Sequence, residues 1–267
     1  MTRKFQFYIV PTPIGNIKDI TIRAVEILKE VDLIACEDSR VTQKLLNHYD
    51  IKTKTISYHK YNERERVDLI LSEIKSGKRI ALVSDAGTPL ICDPGSILLE
   101  ELRKNNITVT SLTGSCAVST FLSQVPRDTE EYTFIGFLPK TDKQIQDVYL
   151  KHKYTNMVFY DSPNRIIKSL QIIREISPNI RVAVGRELTK LFEEIFIDDI
   201  EKVIEHFSAE VKGEIVAMTF AVKSDELSGM QDKIDILKSK GFKPKEIVEI
   251  LSSLYNLNKN EIKNALY

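Results

Sequence analysis

The chain has 267 residues, 42% of them hydrophobic, which suits one large or two ordinary domains with real cores. Lysine plus arginine equals aspartate plus glutamate at 38 each, which excludes a globally basic polyanion binder and leaves any nucleic-acid site to a local patch. The three cysteines, Cys36, Cys92 and Cys116, are widely spaced and form no CxxC, which argues against a disulfide framework or zinc cluster and for a reducing compartment. MTRKFQFYIV carries too short an apolar run for a signal peptide, and no stretch approaches a membrane span, so a cytoplasmic protein without membrane attachment is expected.

Phe7–Val10 predicts a strand that ends in Pro11-Thr12-Pro13-Ile14-Gly15-Asn16. Asp19 then predicts the cap of a helix with Ile20, Ala24, Ile27, Leu28 and Val31 on one face. The loop lacks both GxGxxG and GxxxxGK, so phosphate cradling is not indicated. Its two prolines make it stiff enough to wall a pocket, although an ordinary strand-to-helix turn reads the same way.

Leu33–Cys36 predicts a second strand, running into the charged Glu37-Asp38-Ser39-Arg40. Asp38 or Ser39 can cap the helix over Val41–Tyr49, which explains two of those four residues. Thr55–Ser57 predicts a strand, Asn62 with Glu65 a helix cap, and Gly77 a helix end where Lys78 complements the dipole. His59 has no second ligand nearby, so no metal role is expected.

The centre of the chain is Ala81–Pro94, ALVSDAGTPLICDP. Ile80–Val83 is a short apolar run fit for a buried parallel strand, and the turn formers from Asp85 to Gly95 cannot continue it. Asp93-Pro94 predicts an N-cap with proline at the first helical position. Strand, polar loop and helix give the geometry in which open α/β sheets bind ligands. On this segment alone Gly87-Thr88-Pro89 reads equally as a simple turn.

Thr108–Leu112 predicts a strand, and Thr113-Gly114-Ser115-Cys116-Ala117 turns it into a small-residue helix over Ala117–Gln124. Cys116 has no basic neighbour in sequence and reads as a packed thiol. Strands alternate with helices to this point, so a mainly parallel sheet is expected. Val125-Pro126-Arg127-Asp128 reads as a linker.

Beyond it the pattern restarts with strand Thr133–Gly136, helix Asp142–Lys151, strand Asn156–Tyr160, a helix opened by Ser162-Pro163 and strand Arg181–Gly185. Glu193–Ile197 and Glu214–Val222 read as a pair of strands around the helix Ile200–Phe207. A polar break at Ser224–Gly229 precedes helices over Gln231–Ser239, after Pro244 and after Asn258. The expectation is therefore an α/β protein with an N-terminal α/β domain over 1–125, a mixed-sheet α/β domain over 126–223 and a helical region over 224–267.

Six segments occur together and in order: YIVPTPIGN at Tyr8–Asn16, ACEDSRVTQKLL at Ala35–Leu46, VSDAGTPLICDP at Val83–Pro94, GFLP at Gly136–Pro139, FYDSPNR at Phe159–Arg165 and RELTKLFEE at Arg186–Glu194. Together they resemble the bacterial 16S rRNA (cytidine-2′-O)-methyltransferases of the tetrapyrrole-methylase superfamily, from about residue 7 to the end. The resemblance implies two α/β domains with S-adenosylmethionine (SAM) in the cleft between them. It also implies a homodimer and, as substrate, a cytidine ribose in the decoding region of 16S rRNA in the small ribosomal subunit.

Carried over by motif, Pro11, Thr12, Pro13, Ile14, Gly15 and Asn16 line the SAM pocket from the first loop, Asp85, Ala86, Gly87, Thr88 and Pro89 from the central loop, and Ser115, Cys116 and Ala117 from the third. The third loop departs from the family's Pro-Gly-Pro-Ser-Ala-like run by losing both prolines. The segment after Pro139 is less basic than the family pattern, with Lys140 and Lys143 followed by Gln144, Gln146 and Asp147.

Methyl transfer needs the acceptor oxygen placed in line with the S–CH₃ bond, and a poorly acidic ribose hydroxyl gains from a base or nearby cation. Charged groups cluster at strand ends as Glu37, Asp38 and Arg40 in one half and Arg186, Glu187 and Lys190 in the other. Glu187 or Lys190 is expected nearest the 2′-hydroxyl, with Asp38 and Arg40 positioning substrate; an interdomain ion network accounts for each residue as well. Two rival functions are a tetrapyrrole C-methyltransferase of the same fold, which shares the SAM cleft but against which Phe159–Arg165 and Arg186–Glu194 speak, and a ribosome-assembly factor that binds RNA without catalysis, against which the intact central loop speaks.

Overall fold

The computed structural model describes residues 5–208, 212–222, 230–255 and 259–266. The chain forms two compact units, one up to Phe220 and the other Ala221–Tyr267. In the first, β1 (Phe7–Ile9), β2 (Leu33–Cys36), β3 (Thr55–Ser57), β4 (Ile80–Val83) and β5 (Val109–Ser111) make a sheet in the order β3-β2-β4-β1-β5. Every pairing in it is parallel, as the alternation of strands and helices predicts.

Strands this apolar are buried on both faces, and successive side chains serve opposite cores. Phe7, Ile9, Ala35, Ile80 and Leu82 pack on one side against helices α3 (Glu63–Lys75) and α4 (Ser96–Lys104). Tyr8, Val10, Ile34, Cys36, Ala81 and Val83 pack on the other against α1 (Ile22–Glu30) and α2 (Ser39–His48).

Two helix starts differ from the sequence reading. The cap of α1 is Thr21, whose hydroxyl accepts from the Ala24 amide, while Asp19 closes a separate 3₁₀ turn over Ile17–Asp19. Helix α4 begins after Gly95, so Asp93-Pro94 is loop and the Asp93 carboxylate caps nothing there. Asn62 stands at the start of α3, but its Oδ1 accepts from the His59 amide and makes no capping bond.

After α5 (Ala117–Leu122) and the linker, β6 (Tyr132–Phe137), α6 (Asp142–His152), β7 (Asn156–Asp161), α7 (Ile166–Ile176), β8 (Arg181–Arg186), β9 (Glu194–Asp199), α8 (Ile200–His206) and β10 (Ile215–Thr219) follow. They build a mixed sheet in the order β6-β7-β10-β8-β9, in which only β6 and β7 run parallel. The last two strands do not pair with each other, because β8 lies between them.

Helix α5 ties the second sheet to the first half of the chain. Phe121 is fully buried among Val158, Ala183, Val216 and Met218, and a Cβ on Gly185 would stand 2.7 Å from its ring. Phe121→Ala would leave a cavity there, and we expect a loss of about 3–5 kcal/mol of stability, read as a lower urea midpoint with an unchanged slope.

In the second unit α9 (Met230–Ser239), α10 (Pro244–Tyr255) and α11 (Lys259–Leu266) share a core of Ile234, Ile247, Val248, Leu251, Ile262 and Leu266. The predicted polar break at Ser224–Gly229, like Asn258, lies outside the described residues.

Candidate active site

The conspicuous loops are laced to one another. Thr12 and Gly87 exchange both backbone hydrogen bonds, at 2.8 and 2.9 Å, and the Thr12 hydroxyl donates to the Ser84 carbonyl at 3.0 Å. Thr88 Oγ1 donates to the Ser115 carbonyl at 2.9 Å, which joins the central and third loops. The Asp38 amide donates to Asp85 Oδ1 at 3.0 Å, and the Asn16 amide to Thr189 Oγ1 at 3.0 Å. Arg165 donates to the Leu138 and Pro139 carbonyls, so the GFLP and DSPNR segments also meet. Residues far apart in sequence thereby frame one cavity of about 380 Å³, within the size range of small-molecule sites.

One wall comes from the first sheet: Ile14, Glu37, the run Asp85–Thr88, Ile91, Cys92 and Asp93, then Cys116 and Ala117 from the third loop and the start of α5. The other comes from the second sheet: Phe137, Tyr160 through Pro163, Leu188 and Gly213 through Val216. Of the pocket residues expected from sequence, Ile14, Asp85, Ala86, Gly87, Thr88, Cys116 and Ala117 face the cavity. Pro11, Thr12, Pro13, Gly15, Asn16, Pro89 and Ser115 are absent from its lining, and several instead hold the loops together. Pro11 packs where a Cβ on Gly114 would stand, 2.6 Å away.

The lining is acidic. Glu37, Asp85, Asp93, Asp161 and Glu214 contribute to it, and among the described residues it holds no lysine, arginine or histidine. Burial raises the Asp85 carboxyl above the usual range. Burial first and Asp85 second raise Glu37. Burial and then the facing Glu37 push Asp93 up to about 6. Each therefore binds a proton more readily than an ordinary carboxylate, as expected of like charges sharing a partly dry space. Asp161 is 4% exposed and accepts from Ser169 Oγ at 2.6 Å and the Ser162 amide at 2.8 Å.

Non-glycine residues in the left-handed region hold this loop in shape. Leu90 and Cys92 both have φ of 72°, and between Cys92 and Pro94 the chain sets Asp93 in the cavity wall.

The four residues expected to act in catalysis lie outside the lining. Asp38 caps α2 and pairs with Arg40 at 2.6 Å, and that guanidinium holds its carboxyl at about 2. Glu187 accepts from Lys190 Nζ at 2.7 Å and from the Glu214 amide at 3.0 Å, and the lysine hydrogen bond lowers its pKa. Lys190 bridges Glu187 and Glu214; burial alone would lower its pKa, but these carboxylates leave it raised. Each cluster pairs within itself, and no ion pair joins the two among the described residues.

A parallel sheet and a mixed sheet thus enclose an acidic cavity of small-molecule size. Residues 6–204 match the model of the family described as Tetrapyrrole (Corrin/Porphyrin) Methylases. The Ribosomal RNA small subunit methyltransferase I of Hydrogenobaculum sp. (strain Y04AAS1) is 44% identical over 218 residues, 79% of this chain and 94% of that protein. Its namesake from Buchnera aphidicola subsp. Acyrthosiphon pisum (strain APS) is 39% identical over 265 residues, 96% and 94% of the two chains. Among solved structures, uroporphyrin-III C-methyl transferase from Thermus thermophilus, complexed with S-adenyl homocysteine, superimposes with a TM-score of 0.56 at 15% identity, over 80% of this chain and 97% of that one. The chain belongs to the tetrapyrrole methylase family, and within it is similar over most of its length to proteins named Ribosomal RNA small subunit methyltransferase I.

Proposed function

We propose that the protein methylates the 2′-hydroxyl of a cytidine ribose in the decoding region of 16S rRNA, with SAM as donor. The observation that carries the donor is the cavity: a largely apolar lining with Glu37, Asp85 and Asp93 and, among the described residues, no lysine, arginine or histidine suits a donor whose reactive end is a sulfonium, while the rRNA acceptor follows the relatives' names. Ile14, Ala86, Gly87, Thr88, Cys116 and Ala117 supply surface for the donor, and Glu37 and Asp85 supply the countercharge. SAM brings an electrophilic methyl group bound to that sulfonium.

The chain's own contribution is placement and proton removal. Asp93 takes the acceptor's proton, since it lines the cavity and burial beside Glu37 pushes its carboxyl up to about 6. Glu187 is the weaker base, with its carboxylate held by Lys190 and the Glu214 amide. The Glu187–Lys190–Glu214 network then serves to fix the loop that carries Leu188 into the wall.

The assignment includes domain boundaries at 125/126 and 223/224, a cytoplasmic location and a homodimer, whose mass light scattering would read. Among the described residues, no helix is long and apolar enough to cross a membrane. Incubation with methyl-labelled SAM and either unmethylated 30S subunits or a porphyrinogen tests the reading. Label in 16S rRNA, at a cytidine ribose, is expected; label in the porphyrinogen alone overturns it.

A further inference from the structure

Strand β6 contains a defect with a directional effect. Phe134 pairs with Val158 and Phe137 with Tyr160, so three steps along β6 match two along β7. In an unbroken strand Phe134 and Phe137 would point to opposite faces. The extra residue restores them to one face, and Gly136, at φ 72°, supplies the left-handed turn that the bulge requires. Both rings accordingly meet Tyr160, Phe134 at 5.1 Å and Phe137 at 5.3 Å between centroids.

The outcome differs for the two rings. Phe134 is half-buried against the core, whereas Phe137 lines the cavity and remains 63% exposed. Cys92 Sγ lies 3.2 Å from where a Cβ on Gly136 would stand, so the bulge sits directly against the central loop. Beyond its contact with Tyr160 the ring is left largely in water, and bulges of this kind re-aim side chains beside active sites. The acidic interior below it repels phosphate, so a polynucleotide can bring only a base and sugar to this edge.

We propose that Phe137 is a stacking platform for an unpaired nucleobase of the RNA acceptor, set at the cavity mouth by the Gly136 bulge. The proposal rests on the rRNA reading above. Its chemistry is the face-to-face contact of a base with an aromatic ring, which tolerates any base and holds the attached ribose in place.

The test compares Phe137→Ala, Phe137→Leu and Phe137→Trp in single-turnover methylation of 30S subunits, with S-adenosylhomocysteine affinity measured by calorimetry on each protein. Loss of the ring should raise the half-saturating 30S concentration about 10- to 100-fold in the alanine variant and nearly as much in the leucine variant. Tryptophan should stay within about threefold of wild type, and the rate at saturating subunits should change no more than that in any of the three. Unchanged S-adenosylhomocysteine affinity would report an intact fold and donor site.

Wild-type half-saturation in the alanine variant, or in the leucine variant alone, overturns the stacking role. A parallel loss of S-adenosylhomocysteine affinity overturns it too, by placing the ring against the donor. Failure of the wild-type protein to label 30S subunits overturns the rRNA reading and this proposal together, whereas an active wild type with indifferent variants overturns the platform alone.

Discussion

Gly87→Val is expected to reduce SAM affinity by at least about 100-fold, the effect of filling a ligand's space and straining the loop that forms it. Gly87 has φ of 79°, where a β-branched residue is an outlier, and both its amide and its carbonyl are committed to Thr12. A single added carbon would be accommodated, standing 3.4 Å from Ile14 Cγ2 and 3.8 Å from the Ser115 carbonyl. The two further methyl groups of valine would add bulk to a residue that already lines the cavity. Calorimetric titration with SAM reads the effect, and urea unfolding shows whether the protein remains folded. Gly87→Ala separates the causes, since it keeps the backbone strain and adds little bulk. Wild-type affinity in a folded valine variant would remove this loop from the donor site.

Asp93→Asn should produce two opposite changes. If its carboxylate accepts the acceptor's proton, the methyl-transfer rate falls by about two to four orders of magnitude, while SAM affinity falls far less. In the wild type the rate should rise as pH passes through about 6, where Asp93 ionises, and the variant should lack that limb.

Stability should move the other way. The folded value of about 6 lies above the ordinary 3.8, so the folded state holds the proton more tightly than the unfolded chain. Stability therefore falls as pH rises from about 4 to 6, and above that window the ionised carboxylate is a standing cost. Glu37 and Asp85 act on it as like charges, with the Tyr160 phenol and the Ser84 hydroxyl nearby. Removing the charge should raise the urea midpoint at pH 7.5. Full activity in the variant would return the search for a base to Glu187.

Local chemistry made much of the fold legible. The extents of β2, β3 and β4 follow from short apolar runs bounded by turn formers, and the parallel sheet follows from their alternation with helices. Capping was read less well: Asp19 and Asp93 are good caps in isolation, but the local bond from the Ala24 amide makes Thr21 the cap of α1, and Gly95 precedes α4.

Part of the first-sheet wall was legible, through the family motifs rather than local pattern: Ile14, Asp85 to Thr88, Cys116 and Ala117 were expected, whereas Glu37, Ile91, Cys92 and Asp93 were not. The opposite wall was not. Tyr160, Leu188 and Val216 reach the cavity only because the second sheet folds against α5, and no local pattern encodes that meeting. Phe137 belonged to a motif visible in the sequence, but its orientation depends on a bulge that shifts the period of β6.

The shared wall has a consequence for how the molecule responds to its donor. Ile14 near the start of the first compact unit and Val216 near its end enclose the same cavity. A small molecule held there bridges the two sheets and is released whenever either unravels. Donor at about 100 times its dissociation constant would thus oppose unfolding by about 2.7 kcal/mol. With the donor bound in this cavity, its supply and the lifetime of the folded protein would be coupled, and the unloaded enzyme is expected to be cut faster by protease than the loaded one.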